Sequence, residues 1–453
     1  MRVSIIGTGY VGLTTGVCLA YLGHEVTCVD TAEEKIAALQ RGELPIYEPG
    51  LDELLAESAG RLRFTTKYEE SIAGRDVIFI AVGTPPQPDG SPDLRYLRAA
   101  SEEIGRLIDA DFTVVVNKST VPIGSGNWVE SLIRSSYERH HEGPAEGRFA
   151  VASNPEFLRE GTALMDSLYP DRVVVGADNQ RTFEMMYTLY RPLLDQSFPA
   201  PSFLPRPVEL AAVPIIATDL ASAELIKYAA NAFLSLKISY INEIGNLAER
   251  VGADIREVAR GIGLDNRIGP RFLQSGIGWG GSCFGKDTSA LISTAAEYGL
   301  SMPIVTAARE VNKRQRLRVV EKLLTELKIL KGRTVGLLGL AFKPHTDDLR
   351  DAPAIDIARR LAQHGAIVRG HDPVAMDRWR HEAADVPLEL CADAAALFRG
   401  ADAVILVTDW PEYHELSWPS LGKSMRTQLV VDGRSFLDRG ELTRSGFRLL
   451  TIP

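Results

Sequence analysis

Cysteine is scarce in this chain: Cys18, Cys28, Cys283 and Cys391 are the 4 in 453 residues. No two are spaced C-x-x-C, and no Cys/His cluster has zinc-ligand spacing, so no metal centre is expected. So few thiols suit a reducing compartment rather than a disulfide scaffold. Long apolar runs are also missing. None reaches 18 residues, which predicts no transmembrane helix. The N-terminus runs straight into the apolar segment Arg2–Ile6 with no signal-peptide layout, and the expected location is cytoplasmic. Positive charge is in short supply, with 50 Lys and Arg against 59 Asp and Glu and a net charge of −9. A broad nucleic-acid-binding surface is therefore disfavoured, while a local basic pocket is still allowed. The remaining composition, 45% hydrophobic and 24% charged, is that of an ordinary folded protein.

Three blocks are expected. The first, 1–215, alternates short apolar runs with amphipathic stretches. Val3–Ile6, Val26–Val29, Val77–Val82, Thr113–Val116, Phe149–Ala152 and Arg172–Val175 read as buried strands. Helices between them predict a parallel sheet covered on both faces. Pro199, Pro201, Pro205, Pro207 and Pro214 then rule out continuous helix over 198–214. The second block, 216–330, is predicted mostly helical. Ala221–Arg250 has no proline, and Leu225, Ala229, Ala232, Phe233, Leu236 and Tyr240 recur at the helical period. A helix this long bridges domains or subunits, or else is an internal core helix. The third block, 331–453, returns to strands at Thr334–Leu338, Ile367–Gly370, Ala403–Val407 and Leu429–Val431. Both outer blocks follow the order strand, glycine turn, helix, strand, helix, strand. The fold class is therefore α/β, with two Rossmann-like parallel-sheet domains joined by a central helical domain.

The first glycine turn, Gly7-Thr8-Gly9-Tyr10-Val11-Gly12, matches G-x-G-x-x-G. It follows a strand and opens an amphipathic stretch, and Asp30 ends the next strand. Glycines there allow a tight turn and close approach of a pyrophosphate to a helix N-terminus. A carboxylate at Asp30 accepts from ribose hydroxyls and repels a 2′-phosphate, which predicts NAD rather than NADP. Lys35 is placed to reach the adenosine side. The turns Val82-Gly83-Thr84-Pro85 and Lys118-Ser119-Thr120-Val121-Pro122 follow strands, where such sheets bind ligands.

The sharpest feature is Gly278-Trp279-Gly280-Gly281-Ser282-Cys283-Phe284-Gly285-Lys286-Asp287. Glycines before the cysteine permit close approach. A helix starting here aligns Cys283 with Asp287, and its N-terminus, with Lys286, favours a thiolate. Lys227 and Asn231 share one helix face, and a buried lysine there can stabilise an oxyanion. Glu156 and Glu160 offer two more carboxylates, with helix capping as the alternative. In the third block the loop from Phe342 and Lys343 to Arg350 is long and basic, and Arg434 follows a strand. Both suit a phosphate-bearing ligand. A cysteine beside a nicotinamide site can trap an aldehyde as a thiohemiacetal, lose a second hydride to give a thioester, and release an acid to water.

The motifs GTGYVG, LPIYEPGL, VGTP, KSTVP, SNPEFLREG, AELIKYAANAFL, RIG, GWGGSCFGKD, GLAFK and DGR occur in this order. By them the chain resembles the UDP-glucose/GDP-mannose dehydrogenase family over essentially its full length. The resemblance implies two NAD-coupled oxidations at the sugar C6, with UDP-glucose as the small-molecule substrate and UDP-glucuronate as product. It implies Cys283 as nucleophile, Lys227 and Asn231 as alkoxide stabilisers, Asp287 and Thr120 as water-ordering groups, and Glu156 as the acid–base of thioester hydrolysis. NAD contacts are implied for Gly7, Gly9, Tyr10, Val11, Gly12, Asp30, Lys35, Gly83, Thr84, Pro85, Ser119, Thr120, Glu160, Lys286 and Arg350. Sugar-nucleotide contacts are implied for Phe157, Leu158, Arg159, Glu160, Lys227 and Asn231. They extend to Phe272, Leu273, Gln274, Ser275, Gly276, Gly280, Phe342, Lys343 and Arg434, with Arg267 reaching a neighbouring subunit's substrate. A homodimer through the central helix is implied, with a larger ring of dimers as the alternative. Phe284 after the cysteine is similar to UDP-glucose relatives, where GDP-mannose relatives carry leucine and N-acetyl-sugar relatives a different cysteine motif. Gly285 stands where relatives carry proline or glutamine, and Trp279 where they carry phenylalanine or tyrosine. Neither change removes a catalytic group. A regulatory NAD-binding protein and a simple hydroxyacid dehydrogenase are the other classes; the first would not need the set Cys283, Lys227, Asn231 and Asp287, and the second would need no cysteine.

Overall fold

The computed structural model describes residues 1–87, 90–109 and 112–453. The chain divides into two compact units, Met1–Ala230 with Ser289–Tyr298, and Asn231–Thr288 with Gly299–Pro453.

The first unit is built on eight strands: β1 Arg2–Ile6, β2 Glu25–Val29, β3 Leu62–Thr65, β4 Val77–Ile80, β5 Thr113–Asn117, β6 Phe149–Ser153, β7 Val173–Ala177 and β8 Ile215–Thr218. Their order is β3-β2-β1-β4-β5-β6-β7-β8. The chain therefore turns outward in both directions from β1 and β4, the switch point at which such sheets bind ligands. The first six strands are parallel, as the apolar runs predict. β7 departs from that expectation by pairing antiparallel to β6, and β8 follows β7. Successive residues feed opposite faces, the two-residue period of a strand. Val114 and Val116 enter the core that holds Cys18 and Tyr190, while Val115 enters the core under Ile104 and Ile133.

The second unit carries a wholly parallel sheet. Its strands are β9 Thr334–Leu338, β10 Ile367–His371, β11 Glu389–Leu390, β12 Ala403–Leu406, β13 Leu429–Asp432 and β14 Arg448–Thr451. The order is β11-β10-β9-β12-β13-β14. In sequence terms that is 3-2-1-4-5-6, the nucleotide-binding order. In chain order the two Rossmann-like sheets precede and follow a mostly helical stretch, as the sequence predicts.

The long helix spans Leu220–Val251. Its apolar period is real, but it does not mark a core face. Leu225, Phe233 and Tyr240 are exposed, and so is Leu247 further along. Glu224, Lys227, Asn231, Ser235, Ser239 and Asn242 are buried instead. The helix turns its polar side inward because those groups find hydrogen-bond partners there.

The proline-rich stretch packs back on the first unit. The Phe203 ring lies against Gly50, where a Cβ would meet it at 2.6 Å. Arg206 donates to Gln196 Oε1 at 3.0 Å and to the Phe198 carbonyl at 2.6 Å. Tyr169 and Tyr21 donate to the carbonyls of Leu204 and Pro199, each at 2.9 Å. The stretch is a belt over the helical face of the sheet, and its prolines fix a path that regular structure would not follow. Among the described residues no helix is long and apolar enough to cross a membrane.

Candidate active site

The glycines of the first turn allow the tight turn and the open approach that the sequence predicts, and one more packs the helix against the turn. Gly7 sits at φ +97°, a left-handed conformation that favours glycine. A Cβ on Gly12 would lie 1.9 Å from the Gly7 carbonyl oxygen, so the first helix, Tyr10–Tyr21, closes directly on the turn. A Cβ on Gly9 would meet nothing within 4 Å, and Gly9 caps the helix without a side-chain bond. Open space in front of uncapped N–H groups is what a pyrophosphate needs. The turn fits a dinucleotide.

Asp30 ends β2 and accepts from Thr8 N at 2.8 Å, Thr8 Oγ1 at 2.9 Å, Ala32 N at 3.0 Å and Lys35 Nζ at 3.0 Å. Burial pushes its pKa up, but these donors outweigh burial and hold it below the usual carboxylate range. Lys35 is thus the partner of Asp30. Tyr10 donates to Glu48, and Glu48 also accepts from Gly161 N at 2.6 Å and Ala163 N at 2.7 Å. Glu48 ties the glycine turn to the end of the SNPEFLREG segment; its presence in LPIYEPGL was the only sequence signal for it. The two further turns are also locked together. Thr84 Oγ1 donates to the Thr120 carbonyl at 2.9 Å, and Ser119 Oγ to the Val82 carbonyl at 2.7 Å. Thr84 is buried, while Gly83 and Pro85 stay exposed at the ligand end of the sheet.

Beyond β6 lies a buried charge cluster. Lys227 Nζ donates to Glu156 Oε1 at 2.9 Å, with both side chains almost wholly buried. Leu158 N donates to Glu156 Oε2 at 2.6 Å. Burial pushes the Glu156 pKa up, yet Lys227 first, then Leu158 N and Lys118, bring it below the ordinary carboxylate value. Phe157 lies under two cations, 3.7 Å from Arg172 and 5.5 Å from Lys227. Arg159 pairs with Asp166 at 2.6 Å, at the surface, and Glu160 is half-buried within electrostatic reach of Tyr10.

In the second unit, Cys283 immediately precedes the helix Phe284–Glu297, and Asp287 N donates to the Cys283 carbonyl at 2.8 Å. The expected i, i+4 alignment therefore exists, with the thiol at a positive helix end. Asp287 is buried; it accepts from Asn231 Nδ2 and from Lys286 Nζ, each at 2.6 Å. Ser282 Oγ stands 3.6 Å from the sulfur. The other three cysteines are buried fillers, and burial pushes the Cys18 thiol up to about 12.

The glycines before Cys283 are needed for packing. A Cβ on Gly280 would lie 2.4 Å from the Asp351 carbonyl oxygen, and one on Gly281 2.7 Å from the Phe342 ring. Asn312 holds both faces of the Trp279 peptide, accepting from its N–H at 2.8 Å and donating to its carbonyl at 2.9 Å. Arg316 donates to the same carbonyl at 2.6 Å and to Asp351 at 2.7 Å. Sequence reasoning missed Asn312, Gln315 and Arg316. Their signal was a polar i, i+3, i+4 face on the helix Pro303–Leu327.

The loop 272–276 is fixed at its end. Gly276 N donates to Asn242 Oδ1 and Gln315 Nε2 donates to the Gly276 carbonyl, each at 2.8 Å. Leu273 is buried, Phe272 sits at φ +64°, and Gln274 and Ser275 face outward to different degrees. Strained non-glycine backbone recurs at His345, Asp351 and Ser435, all in loops at the carboxyl end of the second sheet. Such strain persists where surrounding structure dictates it, typically at ligand loops.

The basic residues expected to meet phosphate differ in what they hold. Arg434 donates to the carbonyls of Val407 at 2.8 Å, Gly278 at 3.0 Å and Phe342 at 3.2 Å. It stitches three loops together. Arg350 forms a fork with Asp348, at 2.9 and 2.7 Å. Lys343 Nζ lies 5.4 Å from the Phe342 ring. Arg267 is exposed and paired with Asp265 at 2.6 Å.

Comparison with known proteins identifies the family. Three models of the UDP-glucose/GDP-mannose dehydrogenase family match in order: the NAD binding domain over 1–194, the central domain over 221–314 and the UDP binding domain over 336–439. The UDP-glucose 6-dehydrogenase of Rhizobium meliloti (strain 1021) is 44% identical over 464 residues, covering 100% of this chain and 99% of that protein. UDP-glucose 6-dehydrogenase TuaD of Bacillus subtilis (strain 168) is 42% identical, covering 98% and 92%. The solved UDP-glucose dehydrogenase of Pyrobaculum islandicum superposes with a TM-score of 0.86 at 40% identity, over 99% of this chain and 96% of that one. This chain belongs to the UDP-glucose/GDP-mannose dehydrogenase family and is an NAD-dependent enzyme.

Proposed function

We propose that the chain oxidises the C6 hydroxymethyl of UDP-glucose to a carboxylate, giving UDP-glucuronate with two NAD reduced per sugar. The observation that carries this reading is Cys283 at a helix N-terminus, directly followed by a buried Asp287 held by Asn231 and Lys286. A simple alcohol dehydrogenase needs no such thiol. NAD, when bound, accepts the hydrides. The chain's own residues do the rest. Lys227 and Asn231 stabilise negative charge on the sugar O6 during the first oxidation, as the O6 proton passes to the water ordered by Thr120 and Asp287 and C6 gives up its hydride. The Cys283 thiolate adds to the C6 aldehyde, and the resulting thiohemiacetal loses hydride to become a thioester. Thr120 and Asp287 order the water that adds to it, Glu156 takes the water's proton, and the thiolate leaves.

The glycine turn, Asp30, Lys35 and the Gly83–Pro85 and Ser119–Thr120 turns serve NAD, with Glu160, Lys286 and Arg350. Phe157–Glu160, Phe272–Gly276, Gly280, Phe342, Lys343 and Arg434 serve the nucleotide sugar, with Arg434 acting by fixing the loops around it. Segments 1–215, 216–330 and 331–453 divide as NAD-binding, dimerising and UDP-sugar-binding parts. The exposed apolar stripe of Leu225, Phe233, Tyr240 and Leu247 supports a dimer through the long helix. Arg267, exposed as it is, serves the partner's substrate in that dimer. The protein works in the cytoplasm.

The test counts NADH formed per sugar with UDP-glucose, UDP-N-acetylglucosamine and GDP-mannose. Two NADH per UDP-glucose is expected. Turnover of either other sugar alone would establish the alternative, a dehydrogenase of another nucleotide sugar. Cys283→Ala is expected to form no acid.

A further inference from the structure

Lys118 stands one residue past β5, at the carboxyl end of the first sheet. Its ammonium donates to Asn154 Oδ1 at 2.9 Å. The same oxygen accepts from the Tyr190 hydroxyl at 2.6 Å, and Asn154 Nδ2 donates to the Val174 carbonyl at 2.7 Å. Asn154 is thereby fixed on three sides, and it fixes Lys118. Two residues on, Glu156 holds the Lys227 ion pair. Lys118 is within electrostatic reach of both Glu156 and Lys227. The cluster thus has two lysines to one carboxylate.

That imbalance matters for the reaction. In the structure the Lys227 ammonium is bonded to Glu156, yet the oxidation needs its charge on the sugar oxygen. Drawing Lys227 away would leave a buried carboxylate without compensation, at a large desolvation cost. We propose that Lys118 is a positioning residue, a second cation on Glu156 that keeps this carboxylate ionised and so lets Lys227 serve the developing alkoxide. The inference rests on the function proposed above. Burial pushes the Lys118 ammonium down to about 8, against an upward pull from Glu156 and with a further push down from Lys227. Cys18 and Tyr190, also packed there, are both driven toward their neutral forms by burial, so they supply no competing charge. The reserve cation is present at neutral pH and lost above about 8.

The experiment measures kcat and KM for NADH formation from pH 6 to pH 10 in the wild type, Lys118→Met and Lys118→Arg. Thermal midpoints verify folding. In the wild type kcat is expected to fall on the basic side with an apparent pKa near 8. The methionine variant is expected to lose at least about tenfold in kcat at pH 7, with both KM values within about threefold. Its acid limb moves upward, because Glu156 has lost a cation. The arginine variant restores kcat at pH 7 and lacks the limb near 8. Wild-type kcat and unmoved limbs in the methionine variant would overturn the proposal. So would two variants equally slow with unmoved limbs, the mark of a purely structural lysine. If the methionine variant does not fold, the wild-type and arginine profiles decide: a limb near 8 present in both, or absent from both, overturns it. A wild type inactive on every nucleotide sugar would refute the proposed function itself, a different failure from that of Lys118.

Discussion

Asn231 Nδ2 donates to Asp287 Oδ2 at 2.6 Å, joining the long helix to the helix that begins after the nucleophile. A neutral donor is required at that position, because Asp287 already has its cation in Lys286 at 2.6 Å. Replacing Asn231 with aspartate would press two carboxylates together. Like charges at that distance cannot both ionise, so the pair would keep a proton into the neutral range. Asn231→Asp is expected to lower kcat at pH 7 by about 10²-fold and to move the acid limb of the pH profile up by about one unit or more. Asn231→Ala, which adds no charge, should lower kcat without moving that limb. A pH series of initial rates for the two variants checks the contrast.

Gly12 cannot carry a side chain. Its Cβ would fall 1.9 Å from the Gly7 carbonyl oxygen, a backbone atom that cannot rotate away. Gly12→Ala must separate the first helix from the turn, and the pyrophosphate site with it. NAD affinity, read by titration of protein fluorescence, is expected to fall at least about tenfold, and stability by about 1–3 kcal/mol. Gly9→Ala is the control for NAD alone. Its Cβ enters open space, so it should keep stability and still weaken NAD.

Both glycine positions were legible from the chain, because turn chemistry is local. The same holds for β1, β2, β4, β5 and β9, whose apolar runs exceed any competing pattern. Three things were not legible. β7 reads as a parallel strand because a single apolar run carries no direction. The long helix reads as a helix from its period, but the period cannot say which side is buried; Leu225, Phe233 and Tyr240 are exposed and Lys227 and Asn231 are not. Arg434 is marked as basic and as following a strand, but its three bonds go to carbonyls that only the fold brings near it, and these no local pattern shows. Lys118 and Glu48 lie inside KSTVP and LPIYEPGL, with nothing local to separate them from surface charges.

The exposed stripe of the long helix leads to a prediction on assembly. Phe233 is 60% exposed and Tyr240 51%, on one face with Leu225 and Leu247. Phe233→Glu introduces a charge at the centre of that stripe without touching Lys227 or Asn231. The protein is expected to shift from dimer to monomer at micromolar concentration, as read by light scattering behind size exclusion, and to keep its fold by circular dichroism. An unchanged mass would place the subunit contact elsewhere.

Glu224 gives a pH dependence of stability with a definite sign. It is buried on the long helix and accepts from Gly124 N at 2.6 Å and Gly126 N at 2.9 Å, where the helix Ser125–His140 begins. Burial dominates these bonds and raises its pKa to about 7. The unfolded chain has the ordinary value near 4.5. Between the two, the folded state binds more protons than the unfolded state, so stability falls as pH rises from about 4.5 through about 7 and levels off above. At about 1.4 kcal/mol per unit the whole effect is on the order of 3 kcal/mol at most. Glu224→Gln removes the titration and keeps an acceptor for one N–H. Denaturant midpoints for the two proteins should lie closest near pH 5 and diverge toward pH 8 in favour of the variant. A difference independent of pH would mean that Glu224 remains ionised in the folded protein, with its two backbone donors outweighing burial after all.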